Sequence, residues 1–343
     1  MRAMLLERIG EIHAGTEPLR LVALPDPAPG NNEVLLQVLT CGVCHTELDE
    51  IEGRTPPPTL PIVPGHQVVG RVIGLGAKAS PQLLGQRVGV AWIGGACGEC
   101  EDCQIGRENL CRNFVATGRD RHGGYAERMT ALADFVHPLS DSLTDIEVAP
   151  LLCAGAIGYR SLTLTHLHDG ERLGLTGFGA SGRLVLWLMK AVFPHSTVSV
   201  FARSADEREA ALKLGAEWAG ETTERPPSLF DAIIDTTPAW TPVVAALASL
   251  KPGGRLVINA IRKEPRDLSA LLTLSYEHHL WMEKEIKSVA NVTRRDVAEV
   301  LRIAAGKKLQ LPVDEYRLED ANAALIELRT KPVLAAKVLR VSH

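Results

Sequence analysis

From Leu175 to Gly182 the chain reads Leu-Thr-Gly-Phe-Gly-Ala-Ser-Gly, and the residues flanking this stretch restrict the fold more than any other feature. Residues 173–175 read as a strand and 183–191 as a helix, so the glycines fall in the turn between them. In a G-x-G-x-x-G turn of this kind Gly177 permits the tight bend and Gly179 lets the backbone approach a pyrophosphate. Gly182 lets helix and sheet pack closely. Ala180 and Ser181 then open the helix, whose N-terminal N–H groups face the phosphate charge. The alternation continues with strands at 197–202, 230–235 and 255–260 and a helix at 206–214. Strands alternating with helices imply βαβ units and a parallel sheet.

The texture before residue 150 is different. From Glu33 to Gly89, short apolar runs such as 34–38 and 68–73 are punctuated by Gly and Pro, which reads as a β-rich domain. At 343 residues the chain exceeds one comfortable core, so two domains are expected. Residues 335–341 again read as a strand, one that can rejoin the first domain. The net charge of −4, with scattered basic residues, argues against nucleic acid or an anionic membrane as partner. The longest apolar run, 184–189, is too short to span a bilayer, and residues 1–8 lack a cleavable leader pattern. Seven cysteines is an odd number for a disulfide scaffold, and six of them suit a metal better. A cytoplasmic location is therefore expected.

Cys97, Cys100, Cys103 and Cys111 have the spacing C-x2-C-x2-C-x7-C. Four thiolates on one short loop can surround Zn²⁺ tetrahedrally, and such closed sites are structural. Free thiols or two disulfides are the alternatives, and a nucleic-acid zinc ribbon is disfavoured because no basic patch surrounds the lobe. A second set is scattered: Cys44, His66 and Cys153. Two sulfurs and one imidazole would leave a fourth zinc position open, the layout of a catalytic site. Each residue also has a plain explanation in core packing or turn formation. Cys41-x2-Cys44 offers a redox dithiol, without the thioredoxin-like context that reading needs.

With these blocks in this order, the sequence is similar over nearly its whole length to the zinc-containing medium-chain alcohol dehydrogenases. The matching blocks are Cys44-His45-Thr46-Glu47-Leu48, Gly65-His66-Gln67-Val68-Val69-Gly70-Arg71-Val72, the four-cysteine lobe, Leu152-Cys153-Ala154-Gly155 and the glycine turn. The resemblance implies an α/β protein. A GroES-like β-rich catalytic domain would span 1–150 and 290–343 with a zinc lobe at 94–112, and a Rossmann domain with a doubly wound parallel sheet would span 151–289. It implies two zinc ions per chain, a catalytic one on Cys44, His66 and Cys153 with Gln67 adjacent, and a structural one on the four-cysteine lobe. The implied reaction is reversible oxidation of a primary or secondary alcohol, zinc stabilising the alkoxide while hydride passes to NAD or NADP. Thr46 matches the hydroxyl that passes the proton away, and His45 matches the residue that contacts the cofactor pyrophosphate. Trp92 matches an aromatic wall of the substrate pocket. Bacterial relatives suggest a homo-oligomer, a tetramer or dimer, acting on a small alcohol or aldehyde.

The sequence departs from the family pattern in places that bear on mechanism. Asp49 stands where many relatives carry a His that ends the proton relay, so Asp49 or water takes its place, or the relay is shorter. Gln67 stands where the family usually has Glu, and Glu47 replaces the usual Asp that orients a ligand. The second strand of the α/β domain ends Ala202-Arg203-Ser204, without the acidic residue that binds an adenosine 2′-hydroxyl. Arg203 and Ser204 suit a 2′-phosphate, which favours NADP over NAD.

Overall fold

Eleven residues of alternating burial, Glu33–Val43, form the central strand of the first of two compact units. The period of two places Val34, Leu36 and Val38 in the core. Side chains of this size contribute about 1.5–3 kcal/mol each when fully buried. The computed structural model describes residues 1–307, 311–331 and 335–342. The strand pairs antiparallel with Val68–Leu75 on one side and Ala336–Arg340 on the other. The sheet runs Val313–Arg317, Ala336–Arg340, Glu33–Val43, Val68–Leu75, Arg87–Val90, Val136–Pro138, and Arg128–Leu132 also pairs with the central strand. Both ends of the chain therefore build this unit, Met1–Cys153 with Val292–His343.

The second unit, Ala154–Asn291, is an α/β domain. Its six strands run in the order Trp218–Gly220, Thr197–Phe201, Arg172–Thr176, Phe230–Asp235, Leu250–Ile258, Glu285–Ser288, and every pairing is parallel. The chain starts at Arg172–Thr176, winds outward on one side, then returns to wind outward on the other. This is a doubly wound sheet, and its switch point lies between Arg172–Thr176 and Phe230–Asp235. The strand and helix positions read from the sequence fall on Thr197–Phe201, Phe230–Asp235, Leu250–Ile258, Ala180–Val192 and Ala205–Lys213. Trp218–Gly220 is too short to show a period, and Thr241–Ala248 is apolar nearly all round and so shows none.

The seam differs from the expected one. It falls at Cys153/Ala154 and Asn291/Val292 rather than at 150/151 and 289/290. Helix Asp145–Pro150 continues into one π-helical turn, Leu151–Gly155, and Leu152 packs on the first unit where Gly89 leaves room. A Cβ on Gly89 would lie 2.7 Å from the Leu152 side chain. Cys153 consequently stays in the same unit as Cys44 and His66. Residues 308–310, 332–334 and 343, inside the stretch expected to return to the first domain, lie outside the described residues. No helix among the described residues is long and apolar enough to cross a membrane.

Candidate active site and metal centres

The strand Glu33–Val43 delivers the chain to Cys44, which caps helix His45–Ile51. The Cys44 sulfur accepts the Thr46 N–H at 3.4 Å, and the Cys44 N–H donates to Glu47 Oε2 at 2.8 Å. Glu47 thus closes a capping box, a device that normally fixes only a helix start. Here its other oxygen lies 2.5 Å from His66 Nδ1, with both side chains fully buried. Holding Nδ1 turns Nε2 toward Cys44 Sγ, 3.6 Å away. Cys153 Sγ lies 3.9 Å from Cys44 Sγ. The helix that leads to Cys153 is itself pinned: Thr144 caps it, and Arg87 donates to Leu143 O at 2.7 Å and to Asp145 Oδ1 at 2.8 Å.

Gly65 sets the backbone just before His66. Its φ is +99°, and a Cβ there would lie 2.3 Å from the Tyr125 ring. Only glycine satisfies both conditions. A tetrahedral zinc with Zn–S of about 2.3 Å and Zn–N of about 2.0–2.1 Å places its donors about 3.5–3.8 Å apart. The Cys44, His66, Cys153 set therefore fits Zn²⁺ with one position to spare. Contact with Cys153, then burial, pushes the Cys44 thiol well above its ordinary value. Burial alone would lower His66, but Glu47 and Cys44 outweigh it and raise it. Thiols crowded in this way ionise readily only with a cation among them.

The four lobe sulfurs all lie within 4.8 Å of one another, with Cys97 3.9 Å from Cys103 and 3.5 Å from Cys111. Backbone N–H groups point at them: Cys100 at Cys97 Sγ (3.4 Å), Cys97 and Asn113 at Cys111 Sγ (3.4 and 3.3 Å). The Glu99 and Cys100 N–H groups bring Cys97 down to about 6, whereas desolvation pushes Cys103 up to about 12. Amides aimed at sulfur stabilise thiolate. None of the seven cysteines is in a disulfide, and Cys41 is packed in the core rather than facing solvent as a dithiol would.

In the second unit Gly177 has φ +83°, and a Cβ there would meet Thr236 Oγ1 at 2.7 Å. A Cβ on Gly182 would meet Gly177 O at 2.7 Å, so this glycine lets helix Ala180–Val192 approach the turn. Gly179 caps that helix with no side-chain bond, and a Cβ there would meet nothing within 4 Å. Unsatisfied N–H groups of Ala180, Ser181 and Gly182 beside open space suit a pyrophosphate. Arg203 and Ser204 are exposed beyond buried Ala202, and Ser204 caps helix Ala205–Lys213. Arg208, which sequence reasoning missed, braces this corner by donating to Ala202 O (2.8 Å) and Arg203 O (2.9 Å).

The remaining site residues fall as follows. Thr46 is half-buried and His45 exposed at the start of the short helix. Asp49 is buried and paired with Arg54, with Arg54 Nε 2.5 Å from Asp49 Oδ1. It does not face solvent as the end of a relay would. Gln67 is buried against Gly42, where a Cβ would lie 2.8 Å from the carboxamide. Trp92 meets His66 edge-on at 6.4 Å and Phe114 at 5.6 Å. Sequence reasoning also missed Asp235 and Lys263, a buried ion pair beneath the glycine turn. The Asp235 carboxylate accepts the Thr176 and Thr237 hydroxyls, and Lys263 donates to Thr237 O and Ala239 O. The signal was present in Asp235, an acidic residue closing an apolar strand, but its pairing with Lys263 is a long-range fact.

The family model of the alcohol dehydrogenase GroES-like domain matches residues 30–141. The chain is 40% identical to the probable alcohol dehydrogenase AdhA of Mycobacterium tuberculosis, over 99% of this chain and 97% of that protein. It is 31% identical to an alcohol dehydrogenase of Geobacillus stearothermophilus, over 95% and 96% of the two chains. Among solved structures, an NAD-dependent alcohol dehydrogenase superposes with a TM-score of 0.87 at 24% identity, covering 100% of both chains. Matches of this identity over nearly full length, joined to a GroES-like unit and a doubly wound parallel sheet, settle the lineage: the chain belongs to the zinc-containing medium-chain alcohol dehydrogenase family.

Proposed function

We propose that this protein oxidises a small alcohol reversibly to the aldehyde or ketone, using zinc held by Cys44, His66 and Cys153 and a nicotinamide cofactor. The observation that carries this is the three-ligand set itself, spaced for Zn²⁺ and oriented by Glu47 on His66 Nδ1. Zinc bound there would supply Lewis acidity to the substrate oxygen. Glu47 fixes the His66 tautomer and keeps Nε2 on the metal side. The Thr46 hydroxyl takes the substrate proton while handing its own to water, so the relay reaches solvent without Asp49, whose carboxylate pairs with Arg54. The Gly177–Gly182 turn holds the cofactor pyrophosphate, and Trp92 walls the alcohol pocket. A second zinc holds the lobe. A kinetic screen of primary and secondary alcohols and their carbonyl products tests this reading; no turnover of any member with either cofactor would sink it.

NADP is the preferred cofactor in this reading. No carboxylate follows the strand Thr197–Phe201, and Arg203 is exposed beside Ser204. We expect kcat/KM to be higher with NADP than with NAD. Arg203→Ala should lower the NADP value about tenfold, the loss of one charge-assisted contact, and leave NAD within about twofold. A tenfold preference of the wild type for NAD would overturn the assignment.

Two copies pair, we further propose, through the edge of the second unit's sheet. Glu285–Ser288 ends the strand order, and all its side chains are exposed. In the stretch of chain that precedes it, Leu272 is 88% exposed, and Tyr276 (62%) and Trp281 (54%) pack ring against ring. A bare strand edge flanked by exposed apolar residues is a template for pairing. Ile286→Lys should shift the protein toward the monomer mass in sedimentation; a wild type that sediments as a monomer contradicts the proposal. The compartment expected from the cysteines is cytoplasmic.

A further inference from the structure

Asp235 ends the strand Phe230–Asp235 in register with Thr176, the last residue before the glycine turn. It is fully buried, and both carboxylate oxygens are engaged. Oδ1 accepts the Thr176 hydroxyl at 2.5 Å, the Thr237 hydroxyl at 2.8 Å and the Thr237 N–H at 3.3 Å, while Oδ2 accepts from Lys263 Nζ. Lys263 donates its other two protons to Thr237 O at 2.8 Å and Ala239 O at 2.9 Å, and its side chain is 9% exposed. An ammonium has three donors, and all three are committed inside the protein.

These bonds form the floor of the turn. A Cβ on Gly177 would meet Thr236 Oγ1 at 2.7 Å and Thr237 Cγ2 at 3.0 Å, so both threonines lie directly against it. Thr236 is tied to the strand Arg172–Thr176, its N–H and hydroxyl each donating to Thr176 O at 2.9 Å. Thr237 is held by Asp235 on its N–H and hydroxyl and by Lys263 on its carbonyl. Charge matters here as well as shape. A dinucleotide crosses a doubly wound sheet at this switch point, with its pyrophosphate on the helix that follows the turn. A carboxylate bonded to the residue before Gly177 would, if unpaired, oppose that phosphate charge in a poorly screened interior. Lys263 cancels it.

We propose that Lys263 is a positioning residue for the dinucleotide: by neutralising Asp235 it lets that carboxylate hold Thr176 and Thr237 beneath Gly177 without setting a bare charge beside the pyrophosphate. The inference rests on the reading of Gly177–Gly182 as the cofactor turn, and Lys263 acts through Asp235 and Thr237, where its protons are committed. Loss of the ammonium alone should therefore weaken dinucleotide binding and spare the alcohol and the zinc sites. Loss of both charges should be milder, because a buried pair replaced as a whole leaves no uncompensated charge. Asn at 235 would still offer an acceptor oxygen to Thr176 and Thr237.

The test titrates the full-length zinc-loaded protein with NADPH and with NADH, followed by nicotinamide fluorescence, which reads binding without turnover. For the tighter of the two, Lys263→Met should raise Kd about tenfold, leave zinc content unchanged, and keep KM for alcohol at saturating cofactor within about twofold. Asp235→Asn/Lys263→Met, which lacks the pair but carries no lone charge, should return Kd to within about threefold of the wild type. A brace acting only through the pair's own bonds would leave the double variant as weak as the single one, whatever happened to the melting temperature. Lys263→Gln, neutral but still a donor to Thr237 O, should weaken binding in the same direction and serves if Lys263→Met fails to fold. A Kd within about twofold of the wild type in the single variants, a double variant no tighter than Lys263→Met, or an alcohol KM that rises as far as Kd would each overturn the proposal. A wild type that binds the dinucleotide but turns over no alcohol counts against the reading of the zinc site, and the Kd values still decide the role of Lys263. One that binds neither dinucleotide overturns the reading of the turn and this proposal with it.

Discussion

Cys153→Ala is expected to abolish alcohol oxidation, lowering kcat/KM by about a thousandfold or more, the scale of losing several kcal/mol of Lewis-acid stabilisation. The physical reason lies in the ligand count. Cys44 and His66 would remain, with Glu47 still on His66 Nδ1, but two ligands do not hold zinc against water as three do. Metal analysis should therefore fall from two zinc ions per chain to one. The fold should survive, because Cys153 is only half-buried on its π-helical turn and the turn is anchored by its buried neighbours Leu151 and Leu152. The melting temperature should change by a few degrees at most, as for loss of one small side chain. Wild-type turnover in this variant, or unchanged zinc content, would remove Cys153 from the catalytic centre.

How far the sequence could be read depended on whether a residue's role is local. Gly177 and Gly182 were legible because a turn's needs are written in three adjacent spacings, and each glycine meets a near atom for the reason the spacing suggests. The lobe was legible because its four donors lie within fifteen residues. Cys153 stands 109 residues from Cys44, and no spacing rule joins them; the resemblance alone made that link. Glu47, Asp49 and Glu50 show the limit most clearly. All are acidic residues on one short helix, yet one holds a ligand, one pairs with Arg54, and one is buried with neither carboxyl oxygen hydrogen-bonded among the described residues. The partners of the first two, His66 from a later strand start and Arg54 from the turn after the helix, are not visible in the helix itself, so composition and periodicity treat all three alike. Gly65 belongs to the same class, since the Tyr125 ring that excludes a side chain there lies 60 residues downstream. The edge strand Glu285–Ser288 was missed for another reason: its sequence, EIKS, lacks both the apolar run of a buried strand and a clean alternation.

Cys103→Ser should damage stability as severely as Cys153→Ala damages turnover. Between Cys97 and Cys111 the lobe has one helical turn, Glu101–Gln104, and one 3-10 turn, Glu108–Leu110, and most of its side chains are exposed or half-buried. So little apolar burial cannot offset the ordering entropy of the segment, and the metal must supply the difference. Structural zinc binds zinc-finger peptides with about 10–16 kcal/mol of apparent free energy, so losing one of four ligands removes several kcal/mol. Glu108 carries the effect beyond the lobe: it is buried and pairs with Arg294 at 3.1 Å, at the start of helix Arg294–Gly306 in the same unit. Arg294 in turn stacks over Phe135 at 4.9 Å. Loosening the lobe therefore uncouples that helix start. We expect zinc content to fall to one per chain and the melting temperature to drop by about 10 °C, the scale of 3–5 kcal/mol in a unit of this size. Trypsin should cut rapidly at Arg107 or Arg112, which are exposed but held in a folded lobe in the wild type. A variant that melts with the wild type and resists trypsin equally would show that the lobe keeps its shape without its metal.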